Sequence, residues 1–201
     1  KGLYKYESLY RENVKNLLGA ALGIAPDAIR MTNDASAFLM GERFCGAGAG
    51  HRNIVGITLG TGVGSAAYYN DCLEEGDLYR TDFERGKAED YLSARWLLKM
   101  YEQKTGVTVN GVREMAERVP EDPAACQLFD LYGRNLGRVL AQRYARQGPE
   151  VVIVGGNIAK AWSAFIPAAT EELEKAGQSF NLKPSLLGED AALIGAAFLE
   201  E

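Results

Sequence analysis

Leu9, Val14, Leu17, Leu18, Ala21 and Leu22 fall on one face at helical spacing, and Gly23 and Pro26 close the run, which predicts an amphipathic helix over residues 8–22. Ala28 to Thr32 is a short stretch that could form a strand. Asn33 or Asp34 can then cap a helix through Ala37, Phe38 and Met40 to about Phe44. Beyond a glycine loop at 46–50 the period changes to that of strands. Asn53–Leu59 reads as an apolar strand with β-branched Ile and Val, Gly60-Thr61-Gly62 as a turn and Val63–Tyr69 as a second strand, and Asn70-Asp71 turns the chain toward Cys72-Leu73. This is a β-meander, not a strand–loop–helix unit.

The second half reads mostly as helix. Helices are predicted over 87–104, 111–119, 124–147, 158–176 and 190–200, with turns at Gly106 and at Pro120 to Pro123. An apolar strand from Glu150 to Val154 runs into Gly155-Gly156, and a short extended stretch covers 179–183. The pattern gives a mixed α/β domain with no internal repeat and no low-complexity tract.

Composition narrows the function classes. Lys+Arg 22 against Asp+Glu 27 leaves a net charge of -5, scattered along the chain, so a nucleic-acid partner held by a phosphate-neutralising stripe is not expected. No apolar run reaches the ~18–20 residues of a membrane span, and Lys1 to Tyr10 carries no apolar core of a secretory signal. The three cysteines, Cys45, Cys72 and Cys126, sit at wide spacings and match no disulfide framework or zinc pattern, even with the single His51. Free thiols packed into the fold suit a reducing cytoplasm. His51, in a loop, is expected to be an ordinary surface histidine. Glycine is abundant, 23 of 201 residues, and clusters at strand ends, where backbone can come close to a ligand.

Three segments could carry chemistry. In Leu59-Gly60-Thr61-Gly62-Val63-Gly64 the alternate glycines remove Cβ atoms, which lets main-chain N–H groups face an anion and the backbone take positive φ; the Thr61 hydroxyl adds a donor. A ligand-free glycine hairpin has the same composition. There is no Gly-Lys-Ser/Thr of a P-loop, and Ser65 and a strand stand where a dinucleotide fingerprint needs a small residue and a helix. In Asn33-Asp34 a carboxylate lies at a helix start, where it can serve as a cap worth ~1 kcal/mol or as a general base accepting a hydroxyl proton. Val151 to Asn157 brings an apolar strand into two glycines and a helix, the usual ligand position of an α/β sheet and also a common packing motif.

In order and spacing these segments resemble the ROK family of bacterial sugar kinases and sugar-responsive repressors, from Arg11-Glu12-Asn13-Val14 almost to the C-terminus. Thr32-Asn33-Asp34-Ala35 with Gly41-Glu42 is similar to the segment holding the family's catalytic aspartate. Ile57 to Gly64 is similar to its second phosphate motif, Asn70 to Gly76 to its turn, Val152 to Gly156 to its adenosine motif, and Leu187-Gly188 through Ala197 to its C-terminal helix. The resemblance implies an actin-like ATPase (ribonuclease H-like) fold, with a mixed sheet flanked by helices. It implies residues 1–32 as a remnant of a first lobe with its connecting helix, and 33–201 as the C-terminal lobe. It implies ATP with Mg²⁺ and a small sugar as ligands, hexose phosphorylation of the glucokinase type, and homodimers in which exposed Trp96 or Trp162 could take part. By carry-over Asp34 is the catalytic base, and Asn33, Asp34 and Glu89 contact the sugar. Gly60, Thr61, Gly62 and Gly64 line the ATP phosphates, and Gly155 and Gly156 approach the adenosine.

The chain also departs from that pattern. The family's sugar-gripping Gly-Glu-x-Gly-His segment is replaced by Asp77 to Arg85, which is shorter and lacks histidine. Its zinc-binding cysteine cluster is missing, with Lys87 at a cysteine position of Gly86 to Ser93, so zinc is expected to be absent. The first lobe's Asp-x-Gly-Gly-Thr phosphate loop does not occur, so the chain is expected to enter near the end of that lobe. A non-catalytic, sugar-sensing regulator domain of the same family is the alternative.

Overall fold

Val55, Ile57 and Leu59 point to one side of their strand and Ile54 and Gly56 to the other, and all five are buried, so helices must cover both faces of the sheet. The computed structural model describes residues 9–198 and meets that demand. The described residues fall into two units, one ending at Thr32 and one beginning at Asn33.

In the first unit α1 (Val14–Leu22) is capped at its start by Asn13, whose side chain accepts the Asn16 N–H, and closed by Gly23 in the left-handed region. Residues 9–13 lie outside the helix, and the predicted start at residue 8 lies outside the described residues. The strand expected at Ala28 to Thr32 does not form. Pro26–Ala28 makes one 3₁₀ turn, and the residues after it have no ladder partner among the described residues.

The second unit opens with α2 (Asp34–Cys45) and the meander β1 (Ile54–Leu59), β2 (Val63–Tyr69) and β3 (Cys72–Glu75). A two-residue hairpin, β4 (Asp82–Phe83) and β5 (Gly86–Lys87), leads to α3 (Ala88–Leu92), α4 (Ala94–Thr105), α5 (Val112–Glu117) and α6 (Pro123–Tyr144). Then follow β6 (Val151–Gly155), α7 (Trp162–Lys175), β7 (Asn181–Pro184) and α8 (Ala191–Ala197). The sheet order is β3-β2-β1-β6-β7, antiparallel through the meander and parallel from β1 to β6 to β7. Alternation along β1 and β6 divides the core. Ile54, Val151 and Ile153 pack under α2 and α8 with Phe38 and Leu39, while Val55, Ile57, Val152 and Val154 join Phe129, Leu136, Phe165 and Leu173 under α6 and α7.

Several expectations are corrected. The helix predicted over 87–104 is broken at Ser93, which is extended (φ -90°, ψ 156°). No glycine or proline marks the break because tertiary bonds hold it: the Tyr132 hydroxyl donates to the Leu92 carbonyl at 2.8 Å, and the Ala94 N–H donates to the Gly60 carbonyl at 2.8 Å. The helix predicted from 158 begins as a 3₁₀ turn, Ile158–Ala161. The end predicted at residue 200 lies outside the described residues. The cysteines do not fill packing positions. Cys45 ends α2, Cys72 starts the edge strand β3, and Cys126 lies on the outer side of α6 beside buried Ala125, so all three are exposed. The tryptophans are half-buried instead of exposed: Trp96 lies 6.4 Å from the rings of both Tyr91 and Tyr132, and Trp162 lies 6.3 Å from Phe165. Among the described residues no helix is long and apolar enough to cross a membrane.

Candidate functional site

The parallel pairing of β1 with β6 brings their C-terminal ends side by side, and α2 starts beside them. A cavity of about 590 Å³ opens there. The Leu59–Gly64 turn forms its floor, Asn33 and Asp34 one wall, and Glu75, Asp77, Tyr79 and Glu89 another, with Gly156 and Asn157 at the end of β6. Thus Asn33, Asp34, Glu89, Gly60, Thr61, Gly62, Gly64 and Gly156 share one space. Gly155 does not line it; this buried glycine lies with Asp34 and Gly156 in an adjoining recess bounded by Pro184, Ser185 and Gly188.

Asn33, not Asp34, is the N-cap of α2. Its Oδ1 accepts the Ala35 N–H at 2.9 Å and the Ser36 N–H at 3.4 Å. Asp34 is the first helical residue; its Oδ1 also accepts the Ala35 N–H at 2.8 Å, and its second oxygen takes no protein hydrogen bond among the described residues. With the capping done by its neighbour, Asp34 is exposed toward the cavity with an oxygen to spare.

The 60–64 glycines do not use positive φ, contrary to expectation; that freedom is used at Gly156, where φ is 87°. The hairpin closes by a Gly60 N–H bond to the Gly62 carbonyl at 3.0 Å, a tight turn that needs space more than unusual torsions. A Cβ on Gly60 would meet nothing within 4 Å, one on Gly62 would lie 2.6 Å from Glu89 Oε2, and one on Gly64 would strike Thr58 Oγ1. The Thr61 and Gly62 amides have no protein acceptor among the described residues. On the far side, a Cβ on Gly155 would lie 2.5 Å from the Phe38 ring, and one on Gly156 would sit 2.7 Å from the Leu59 nitrogen.

The turn also borders a second cavity of about 920 Å³, with Leu98, Val112, Ala116, Val119, Ile158 and Ala161 as its apolar lining and Asn110, Arg113 and Lys160 among its polar groups. Lys160 is paired with Glu189 at 2.9 Å. His51 lies away from all of this, at the N-terminal ends of β1 and β6. It is half-buried, with Nδ1 3.2 Å from Glu150 Oε2 and Nε2 3.2 Å from Lys183 Nζ. The Glu150 carboxyl is held below the usual range by the His51 hydrogen bond and by the Asn53 and Arg52 N–H groups. Among the described residues no cluster of three or more His, Cys, Asp or Glu side chains is placed to hold a metal ion.

Compared with known proteins, residues 12–78 and 84–201 match the ROK family profile. The chain belongs to the ROK family. It is 30% identical over 202 residues to the glucokinase of Thermotoga maritima, covering 83% of this chain and 64% of that protein, so it spans less than two thirds of that relative's length. A ROK family glucokinase from Streptomyces griseus, solved in complex with glucose and AMPPNP, superposes with a TM-score of 0.78 at 24% identity, over 92% of this chain and 70% of that one. A ROK family transcriptional regulator, a homolog of the E. coli MLC protein, superposes with a TM-score of 0.77 at 20% identity, over 92% and 54%. These likenesses establish the actin-like ATPase fold of the ROK sugar kinases.

The profile match breaks over 79–83, inside the Asp77 to Arg85 stretch that was expected to differ from the family pattern. There Leu78–Arg80 forms a 3₁₀ turn entered through Asp77 in the left-handed region (φ 47°), and Lys87 pairs with Asp82 at 2.5 Å. Sequence reasoning missed the contributions of Thr58, Glu75, Asp77, Tyr79 and Asn157 to the cavity. It also missed the role of Glu42. That side chain is fully buried and makes no ion pair among the described residues; it accepts the N–H groups of Ala47 at 2.7 Å, Leu187 at 2.9 Å and Leu186 at 3.3 Å, and the Ser185 hydroxyl. It ties the end of the Asp34 helix to the loop bounding the recess. A buried acidic residue on the inner face of a helix was the available signal.

Proposed function

We propose that this chain is the C-terminal lobe of an ATP-dependent sugar kinase that phosphorylates a hexose of the glucose type, with Asp34 as general base. One observation carries the reading: an uncommitted carboxylate oxygen and a turn with free main-chain N–H groups face the same 590 Å³ cavity. The 920 Å³ apolar cavity on the other side of the turn suits a nucleobase, which brings the nucleotide's phosphates across Thr61 and Gly62. Asn33, Glu89 and the Glu75–Tyr79 edge then surround the sugar. Asp34 accepts the proton of the attacking hydroxyl as its oxygen bonds to the terminal phosphorus and the bond to the ADP oxygen breaks.

Asp34, Glu75 and Asp77 make an acidic wall, and no lysine or arginine is among the described residues that line the cavity, although Arg80 lies 3.9 Å from the Asp77 carboxylate. Such a wall fits a phosphate tail that arrives with Mg²⁺, which supplies charge neutralisation when bound. Gly60, Gly64 and the Gly155–Gly156 bend belong to the same nucleotide path in this reading, with Gly156 the closer approach. Pairing into homodimers is part of the proposal, without a role for the half-buried tryptophans. The regulator alternative draws on the missing Glu and His of the sugar grip; the free turn amides weigh against it, since a sugar sensor has less use for a phosphate cradle.

The test is Asp34→Asn in the complete protein. Turnover should fall about 10²–10⁴-fold, the range for losing a general base, with nucleotide affinity nearly unchanged. Full activity in that variant would remove Asp34 as the base.

A further inference from the structure

Glu89 lies 26 residues from the turn in sequence yet touches it directly: its Oε2 accepts the Val63 N–H at 3.1 Å. The same oxygen is what a Cβ on Gly62 would meet, so Gly62 is bare on the side where Glu89 lies. The grip is two-sided, because the Ala94 N–H from the other end of the 88–94 stretch donates to the Gly60 carbonyl. Of the four main-chain N–H groups from Gly60 to Val63, the first is bound within the turn and the last is held by a side chain that can rotate away. That side chain is negative and half-buried, and it lines the cavity with Glu75, Asp77 and Tyr79.

We propose that Glu89 couples acceptor binding to nucleotide binding. This deepens the kinase reading and rests on it. Without a sugar, the carboxylate occupies the Val63 N–H and its charge repels a phosphate tail at the turn. A sugar whose hydroxyls donate to Glu89 draws it off, frees Val63 N–H for the phosphates and spreads the charge into new hydrogen bonds. A ligand shifts an equilibrium only through its different affinity for the two states, and here the difference is one hydrogen bond and one charge placement. Binding is therefore cooperative, and Glu89 acts as a positioning residue for the turn.

The experiment is calorimetric titration of the protein with magnesium–ADP, alone and with saturating glucose, mannose or N-acetylglucosamine in turn. In the native sequence at least one sugar should tighten ADP binding about tenfold, within the usual range of coupling between sites, and ADP should tighten that sugar by the same factor. Glu89→Gln should bind ADP more tightly without sugar and show less than about twofold coupling. Gly62→Ala, whose new Cβ displaces the carboxylate while keeping its charge in the protein, should lose the coupling as well. A thermal melt of each variant close to that of the native chain separates this effect from lost folding. ADP binding that no sugar alters, or coupling that persists in Glu89→Gln, overturns the proposal and leaves the kinase reading standing. Absence of ADP binding under every condition overturns both.

Discussion

The two glycine clusters that lie side by side at the end of the sheet are not glycine for the same reasons. At 60–64 only part of the turn borders open space: Gly60 has nothing near its missing side chain and the Thr61 and Gly62 amides have no protein acceptor among the described residues, whereas Gly62 and Gly64 leave room for Glu89 and Thr58. At 155–156 the missing side chains are replaced by protein, the Phe38 ring on one and the Leu59 backbone on the other, and Gly156 also needs its positive φ. Both runs follow an apolar strand, and in sequence they look alike. A glycine leaves room, and only its surroundings show whether ligand or protein fills it.

Substitutions should separate the two clusters. The largest effect is expected at Glu42, which staples the loop beside the packed cluster. Glu42→Ala leaves three N–H groups and a hydroxyl without their acceptor and should cost about 4 kcal/mol in denaturant unfolding. A change under about 1 kcal/mol would show that water replaces the carboxyl. Next comes Gly156→Ala, with left-handed backbone strain added to a collision with Leu59, at about 3 kcal/mol by the same measurement. Gly60→Ala should stay within about 0.5 kcal/mol of the native stability and weaken magnesium–ADP binding instead. If it destabilised as strongly as Gly156→Ala, the contrast between the clusters would fail.

The smallest effect belongs to Glu150, at the opposite ends of the strands. Its carboxyl is held below its ordinary value, so its contribution is complete at neutral pH and is lost as pH falls through the carboxylate range. Glu150→Gln should therefore lower the melting temperature slightly at pH 7, with the difference from the native chain vanishing in acid. A difference that grew in acid would reverse the sign and refute the assignment.

The sheet was legible because its signals are local. Strand runs bounded by glycine or Asn-Asp turns gave β1, β2 and β6 to within a residue, and the Asn33-Asp34 pair marked the start of α2 without showing which of the two caps it. The errors arise where tertiary contacts decide. The break at Ser93 is held by Tyr132 and Gly60, residues that no window around 93 contains. The β4–β5 hairpin is two residues per strand, too short for any periodicity. At the site, the Asp34 and 60–64 motifs were visible as motifs. That Asn33 does the capping and that Glu89 rests on Val63 depends on distances that spacing does not encode.

The most direct measurement is an amide nitrogen–proton NMR titration of the protein with magnesium–ADP. Resonances of Thr61 and Gly62 should shift in a saturable way, while the buried Gly155 amide changes far less. Saturable binding that leaves Thr61 and Gly62 unmoved, or no binding at all, would contradict the claim that this turn is a phosphate cradle.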